Sequence, residues 1–254
     1  MNEWPNVSQQ REEKSVWQAR QGQMEEWYRQ VATRANSADD LYNEYLPFAP
    51  FLGQLRGTIL DVGGGIGLIR EFLRNNSDYF VIDPSMYWLV QDWTSLSSRF
   101  PSVKGRPLFV RGLGENLPFA ACSFDAVVSF WSLNHCFDPI SCVLEMHRVV
   151  KPQGKALLVL EDMEPSWWDG ILMCWRDVQH KCGYQSRVSL DWRQVNIATG
   201  KQTIKHKLSM SQWPLQSDHK RVYERELYSL FRRRFRLISR SWNGGYLHFQ
   251  LEKM

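Results

Sequence analysis

An α/β fold, built on a mostly parallel sheet of seven strands with helices on both faces, is predicted by three observations. Short apolar runs alternate with longer amphipathic segments from residue 57 to residue 161, the pattern of buried strands joined by crossover helices. Four glycines crowd into residues 63–67, directly behind the first of those runs. The last two apolar runs are joined by Asn243-Gly244-Gly245, a turn that favours an antiparallel hairpin.

The elements follow in order. Residues 7–34 carry a sparse helical stripe of Trp17, Met24, Trp27 or Tyr28, and Val31. Ser37 to Asp40 resembles a capping box opening a second short helix, which Pro47 closes. Residues 1–52 are therefore expected to form a helical lid, and 53–254 the main domain. Five strands are expected in TILDV (58–62), YFVID (79–83), PLFVRG (107–112), FDAVVSF (124–130) and KALLVLE (155–161). Helices are expected at 66–75, 85–99 and 139–150, the last stopped by Lys151-Pro152-Gln153-Gly154. After Glu161 the alternation breaks. A helix over 165–182 and a hairpin turning near Thr199-Gly200 read as a cap inserted at about 162–218. A helix at 219–234 and the strands RLISRSW and YLHFQLEK complete the chain.

Composition bounds the function. The 254 residues, 43% hydrophobic and 23% charged, suit one soluble domain with additions. The start, MNEWPNVSQQREEK, is polar, and no run approaches the roughly 18 apolar residues of a membrane span, so a cytoplasmic protein is expected. Five cysteines form no C-x-x-C pair, which argues for reduced thiols and against a disulfide framework or zinc site. Residues 201–240 hold eleven Lys/Arg against three Asp/Glu, either a solvated face or a surface for an anionic partner. Within it, FRRRFR at 231–236 fits the end of a helix, where Arg favours the negative dipole and Phe231 and Phe235 share the core face. Nucleic acid is not expected as a partner, because no binding module accompanies the charge.

Glycine is the costliest residue to order, so four in five positions need a reason. Behind a strand carrying Asp61, Gly63 and Gly65 let the backbone pass where a Cβ would meet a ligand. Gly67 lets the following helix, starting near Ile66, pack closely on the sheet. The helix start then offers free N–H groups to an anion. The dinucleotide fingerprint G-x-G-x-x-G fails here, since Leu68 stands at its third glycine position. Asp83 lies 22 positions after Asp61, at the end of the second strand, where a carboxylate can accept hydrogen bonds from both hydroxyls of a ribose.

The spacing D-x-G-x-G-x-G resembles motif I of the class I S-adenosylmethionine-dependent methyltransferases. The segment GLGENLPFAACSFDAVVSFWSLNHCFDP is similar to the GDAENLPF…SFDAVV stretch of the group that includes quinone-biosynthesis enzymes, and EMHRVVKPQGKALLVLE to its E-x-x-R-V-L-K-P-G-G helix-turn-strand. The resemblance covers roughly residues 55–162 in order. It implies a Rossmann-like domain, S-adenosylmethionine as cofactor, and cofactor contacts from Asp61, Gly63, Gly64, Gly65, Gly67, Asp83, Pro84, Ser85, Met86, Gly114, Glu115, Ser129 and, from the lid, Tyr28. Met86 packs on the adenine or simply in the core. Where the family has an Asp for the adenine amino group, this chain has Leu113, leaving that contact to the Gly114 N–H or to Glu115.

The family's strand order reverses beside the strand ending at Phe130, so residues 129–138 fall at the methyl end of the cofactor. His135 is the candidate general base there, or else a histidine bonded into its loop. His219 is a second catalytic candidate, or a packing residue of the cap. Trp131, Asn134, Glu161, Trp167 and Trp168 are candidates for substrate binding, as an aromatic and polar wall for a planar or greasy acceptor. No His/Asp/Glu group shows ligand spacing, so no metal is expected. The reading is a methyltransferase acting on O, N or C of a small apolar or aromatic molecule. A homodimer is a candidate assembly. The alternatives are an RNA or protein methyltransferase using the 201–240 face, and a non-catalytic relative that only binds a ligand.

Overall fold

The computed structural model describes residues 15–23, 25–26, 42–74, 77–85, 108–182, 200–209, 219–243 and 246–254. Their centre is one seven-stranded sheet of β1 (Thr58–Val62), β2 (Asp78–Asp83), β3 (Leu108–Arg111), β4 (Phe124–Phe130), β5 (Val150–Leu160), β6 (Phe235–Asn243) and β7 (Tyr246–Lys253). The order is β3-β2-β1-β4-β5-β7-β6. Strands β1 to β5 run parallel, while β7 pairs antiparallel with both β5 and β6. The chain moves outward from β1 to β3, then crosses back to β4 on the other side of β1. The strand order thus reverses between β1 and β4, the place where an open sheet of this kind takes its ligands.

Alternation along each strand divides the core in two. Leu60, Val62, Ile82, Val127, Leu158 and Phe249 face one way, onto helices α1 (Pro139–Val149) and α4 (Glu224–Arg234). Ile59, Val81, Ala126, Val128, Leu157 and Val159 face the other, where Tyr45, Phe48, Leu52, Leu68 and Ile69 cover them. Helix α1 starts cleanly because Asp138 caps it, its Oδ1 accepting from the N–H groups of Ile140 and Ser141 at 3.0 and 3.1 Å, with Pro139 in the first turn. After β5, α2 (Trp167–Lys181) opens on a reciprocal box. Asp169 Oδ2 accepts from the Ser166 N–H at 2.9 Å, and Ser166 Oγ accepts from the Asp169 N–H at 3.1 Å.

Several expectations are corrected. The segment after the glycines is a 3-10 helix, Leu68–Phe72, rather than an α-helix over 66–75. Pro47 does not end a helix: helical turns continue through Leu46–Phe48 into Ala49–Leu52, because proline is tolerated where its missing N–H has no partner to lose. Helix α1 stops at Val149 and β5 begins at once, so Pro152 and Gly154 lie in a strand. Residues after Gly200 form helix α3 (Gly200–Ser209), not the second arm of a hairpin, and Thr203 is buried there. Helix α4 begins at Glu224, five residues later than expected, since His219 and Lys220 are tied to other loops. The closing pair β6–β7 is the expected antiparallel hairpin. The helix expected at 85–99, the capping box at 37–40, and most of the segment before Thr199 lie outside the described residues.

Candidate functional site

Two polar groups sit at the carboxyl ends of the parallel strands. The first surrounds the glycine turn. Gly63, Gly65 and Gly67 all have positive φ, at 73°, 51° and 74°. A Cβ on Gly63 would overlap the side chain of Ser132, and one on Gly64 would overlap the carboxylate of Asp61. The turn is held by the Gly63 N–H donating to the Ile82 carbonyl at 2.8 Å, and by the Gly65 N–H donating to Asp83 Oδ2 at 3.0 Å. Asp83 Oδ1 accepts from the Ser85 N–H at 2.8 Å. Burial pushes the Asp83 carboxyl up to about 6, against the pull of those two N–H groups.

Asp61 is fully buried. Tyr79 donates to its Oδ2 at 2.6 Å, while Oδ1 has no hydrogen-bond partner among the described residues. Burial is the main cause that lifts its carboxyl to about 7, with the nearby Asp83 charge adding to it. An orphaned acceptor beside a Cβ-free turn is a fit for a cationic ligand group, and the Asp83 carboxylate keeps lone pairs for hydroxyls.

The second group gathers where β4 and β5 end. His135 closes the 3-10 turn Leu133–His135, and its Nε2 lies 3.2 Å from Glu161 Oε1. His219 Nε2 approaches the same oxygen at 3.3 Å, and its Nδ1 lies 2.6 Å from Asp162 Oδ2. The two imidazoles meet edge to face, 4.4 Å between centroids. The His219 side chain is almost wholly buried, and those of His135 and Glu161 are 18% exposed. Trp131 and Asp162 take positive φ values of 54° and 51°, a strained backbone for residues other than glycine, and they flank this cluster. The two groups are neighbours, since Ser132, which opens the turn ending at His135, packs its side chain against Gly63.

The N-terminal helical segment reaches this loop. Trp17 Nε1 and Gln21 Nε2 both donate to the His135 carbonyl, at 2.8 and 3.1 Å. Trp27, Tyr28 and Met86 lie outside the described residues. Ser129 is buried, and its hydroxyl pairs at 2.6 Å with that of Ser132, which donates to the Val62 carbonyl at 2.8 Å. Ser129 thus ties β4 to β1, through a Ser132 that the sequence did not single out. Glu115 Oε1 accepts from the N–H groups of Phe137 and Asp138 at 2.7 and 3.2 Å, which fixes the loop. Gly114 packs against Cys142 and Val62, too closely for a Cβ. Pro84 accepts from Arg111 Nε at 3.3 Å through its carbonyl.

Asn134 is buried. Its carbonyl accepts from the Lys220 N–H at 2.6 Å, and its side-chain amide finds no hydrogen-bond partner among the described residues. Trp131 packs among Tyr45, Phe130 and Tyr246, tilted against the first and last and edge-on to Phe130. Trp167 and Trp168 are exposed on the first turn of α2. The convergence of His135, Glu161 and His219 is the main feature that spacing could not show.

Residues 60–158 match the family model described as "Methyltransferase domain". An uncharacterized methyltransferase of Mycobacterium sp. (strain JLS) is 34% identical over 102 residues, 40% of this chain and 37% of that one. The ubiquinone/menaquinone biosynthesis C-methyltransferase UbiE of Pseudomonas paraeruginosa is 33% identical over 112 residues, 42% of this chain and 43% of that one. The chain thus spans less than half the length of these curated relatives. Among solved structures, the PH0226 protein of Pyrococcus horikoshii superposes with a TM-score of 0.56 at 17% identity, over 90% of this chain and 99% of that one, a likeness of fold. With the glycine turn, the two buried aspartates and the 3-2-1-4-5-7-6 sheet all in place, residues 60–158 carry the sequence pattern of a methyltransferase domain.

Proposed function

We propose that the chain transfers a methyl group from S-adenosylmethionine to an O, N or C atom of a small apolar or aromatic acceptor. The observation that carries this is the adjacency of the two polar groups at one edge of the sheet. Asp61, Asp83 and the Gly63–Gly67 turn would hold the cofactor, the first through its orphaned oxygen and the second through the ribose. The bound cofactor supplies a methyl carbon already activated on a positive sulfur. What remains for the protein is to align a nucleophile, keep water out and take a proton where the acceptor carries one.

His135 and His219 are placed for that last task, with Glu161 between them. Asp162 accepts a hydrogen bond from one ring nitrogen of His219 and so orients the other toward Glu161. Trp131 and the buried amide of Asn134 lie in the same loop, the first as an aromatic wall and the second as a polar anchor. A nucleic-acid or protein substrate on the 201–240 face is less supported. Lys207 pairs with Glu164 at 2.6 Å, Arg236 with Glu252 at 2.6 Å, and Arg240 with Asp169 at 2.8 Å and Glu224 at 2.6 Å, so part of that charge is answered within the chain. No helix among the described residues is long and apolar enough to cross a membrane.

Calorimetry with S-adenosylmethionine and S-adenosylhomocysteine tests the first half: both are expected to bind, and binding of neither would end the proposal. The second half is tested by screening phenolic, enolic and amine acceptors for release of S-adenosylhomocysteine. His135→Ala is expected to lower that rate by about 10²-fold or more while cofactor affinity holds.

A further inference from the structure

We propose that His135, Glu161 and His219 bind a divalent transition-metal cation of the size and preference of Zn²⁺. The three side chains come from three different loops, after β4, at the end of β5 and before α4. Their ligand atoms all lie within 4.8 Å of one another. Two histidine nitrogens and one carboxylate oxygen are a ligand set that zinc accepts, and three protein ligands leave a fourth position open.

The distances favour an ion over a hydrogen-bonded relay. A charge-assisted N–H···O bond closes to about 2.7–2.9 Å. Both imidazoles instead stop at 3.2 and 3.3 Å from the same Glu161 oxygen. Ligands held tetrahedrally at about 2.0–2.1 Å from a zinc ion stand about 3.3–3.4 Å apart, close to those values.

The outer contacts point the same way. His219 Nδ1 faces Asp162 Oδ2 at 2.6 Å, so that nitrogen carries the proton. Nε2 then meets the Glu161 oxygen either through a second proton or through a shared cation, and the 3.3 Å separation favours the cation. A carboxylate behind a ligating histidine is the usual way of fixing its tautomer and raising its basicity. Asp162 reaches that position from a left-handed backbone, φ 51°. On the other side the His135 loop is pinned by Trp17 and Gln21 at its carbonyl.

The consequence for chemistry rests on the methyltransferase reading and changes the role of its histidines: with both Nε2 lone pairs on the ion they act as ligands rather than as bases. A hydroxyl oxygen of the acceptor at the fourth position would release its proton to solvent more readily. The oxygen then forms a bond to the methyl carbon as the carbon–sulfur bond breaks, and its electron pair leaves on sulfur as a neutral thioether. The acceptor class is then a phenol or enol whose oxygen can ligate.

The test uses the full chain after chelator treatment and desalting. Zn²⁺ titrated by calorimetry is expected to bind at one ion per chain with micromolar or tighter affinity, and Co²⁺ to give visible absorption of a tetrahedral site with nitrogen and oxygen ligands. His219→Ala and Glu161→Gln should each weaken binding at least 10-fold and abolish the Co²⁺ bands, and Asp162→Asn should weaken it 10- to 100-fold. S-Adenosylhomocysteine binding by each variant serves as the check on folding. Absence of one-to-one binding, or variants that bind Zn²⁺ like the parent, would overturn the site. Metal binding without any cofactor binding would leave the site standing and remove the methyltransferase reading instead.

Discussion

A carboxylate sealed from water resists its own charge, and Asp61 and Asp83 are both sealed. Asp61 titrates near 7 when folded against 3.8 for an exposed aspartate, so the folded protein holds that proton more tightly than the unfolded chain. Its contribution to stability is complete below pH 3.8 and is lost as pH rises through 7, on the order of 4 kcal/mol. Asp61→Asn is therefore expected to raise the melting temperature at pH 8, flatten the fall in stability between pH 4 and 7, and weaken cofactor binding. An unchanged pH slope would refute the assignment. His248 slopes the other way. Burial lowers its imidazole to about 4, so its stabilisation is present above pH 6.5 and lost as pH falls through 4, about 3 kcal/mol. His248→Gln should reduce acid sensitivity in that window, as followed by urea unfolding at several pH values. Asp83→Ala should weaken cofactor affinity by about 1–3 kcal/mol in calorimetry, the worth of hydrogen bonds to a charged group. Equal affinity would mean that the ribose is held elsewhere.

At the scale of elements, the glycine turn was legible as a turn but not in its cause. The expectation was that missing Cβ atoms make room for a ligand. The structure shows that two of them first make room for the protein itself, for Ser132 opposite Gly63 and for the Asp61 carboxylate beside Gly64. A left-handed φ of 73° adds about 1–2 kcal/mol against any other residue at 63. Gly63→Ala should therefore lose cofactor affinity at least 10-fold while far-ultraviolet circular dichroism keeps the sheet signal; binding like the parent would refute this. The strands were readable because their alternation is local. The Leu68–Phe72 turn and helix α3 were not, because amphipathic spacing over ten residues does not separate helix types, or helix from hairpin, without the packing partner. Thr203, buried on α3, is such a case: it packs against Gly170 of α2, not within its own segment.

At the scale of the whole molecule, a guanidinium fastens helix α2 to the sheet. Arg240 on β6 donates to both oxygens of Asp169 on α2, each at 2.8 Å, and to Glu224 on α4 at 2.6 and 3.0 Å. Those carboxylates hold its pKa well above the usual arginine value, despite burial. Arg240→Ala strands two partly buried acids and should destabilise the protein by about 3 kcal/mol. Proteolysis is expected to cut first within α2 while the parallel strands stay protected; cleavage spread evenly over the chain would show that α2 is held otherwise.

From its residue order alone this chain determined the parallel sheet, the turn after Asp61, the acidic residue at 83 and the closing hairpin. Each strand and turn is recognisable from local patterning, where backbone sterics and period-two burial suffice, although the pairing of β1 with β4 joins distant segments. Only the tertiary structure decided that His135, Glu161, Asp162 and His219 meet, that Ser129 serves the sheet, and that Arg240 joins α2 to the sheet. Those contacts bridge 26 to 84 positions of sequence or, for Ser129, depend on Ser132 meeting β1. They exist because the strand order reverses beside β1 and brings separate loops to one edge, a consequence of topology that no spacing along the chain encodes.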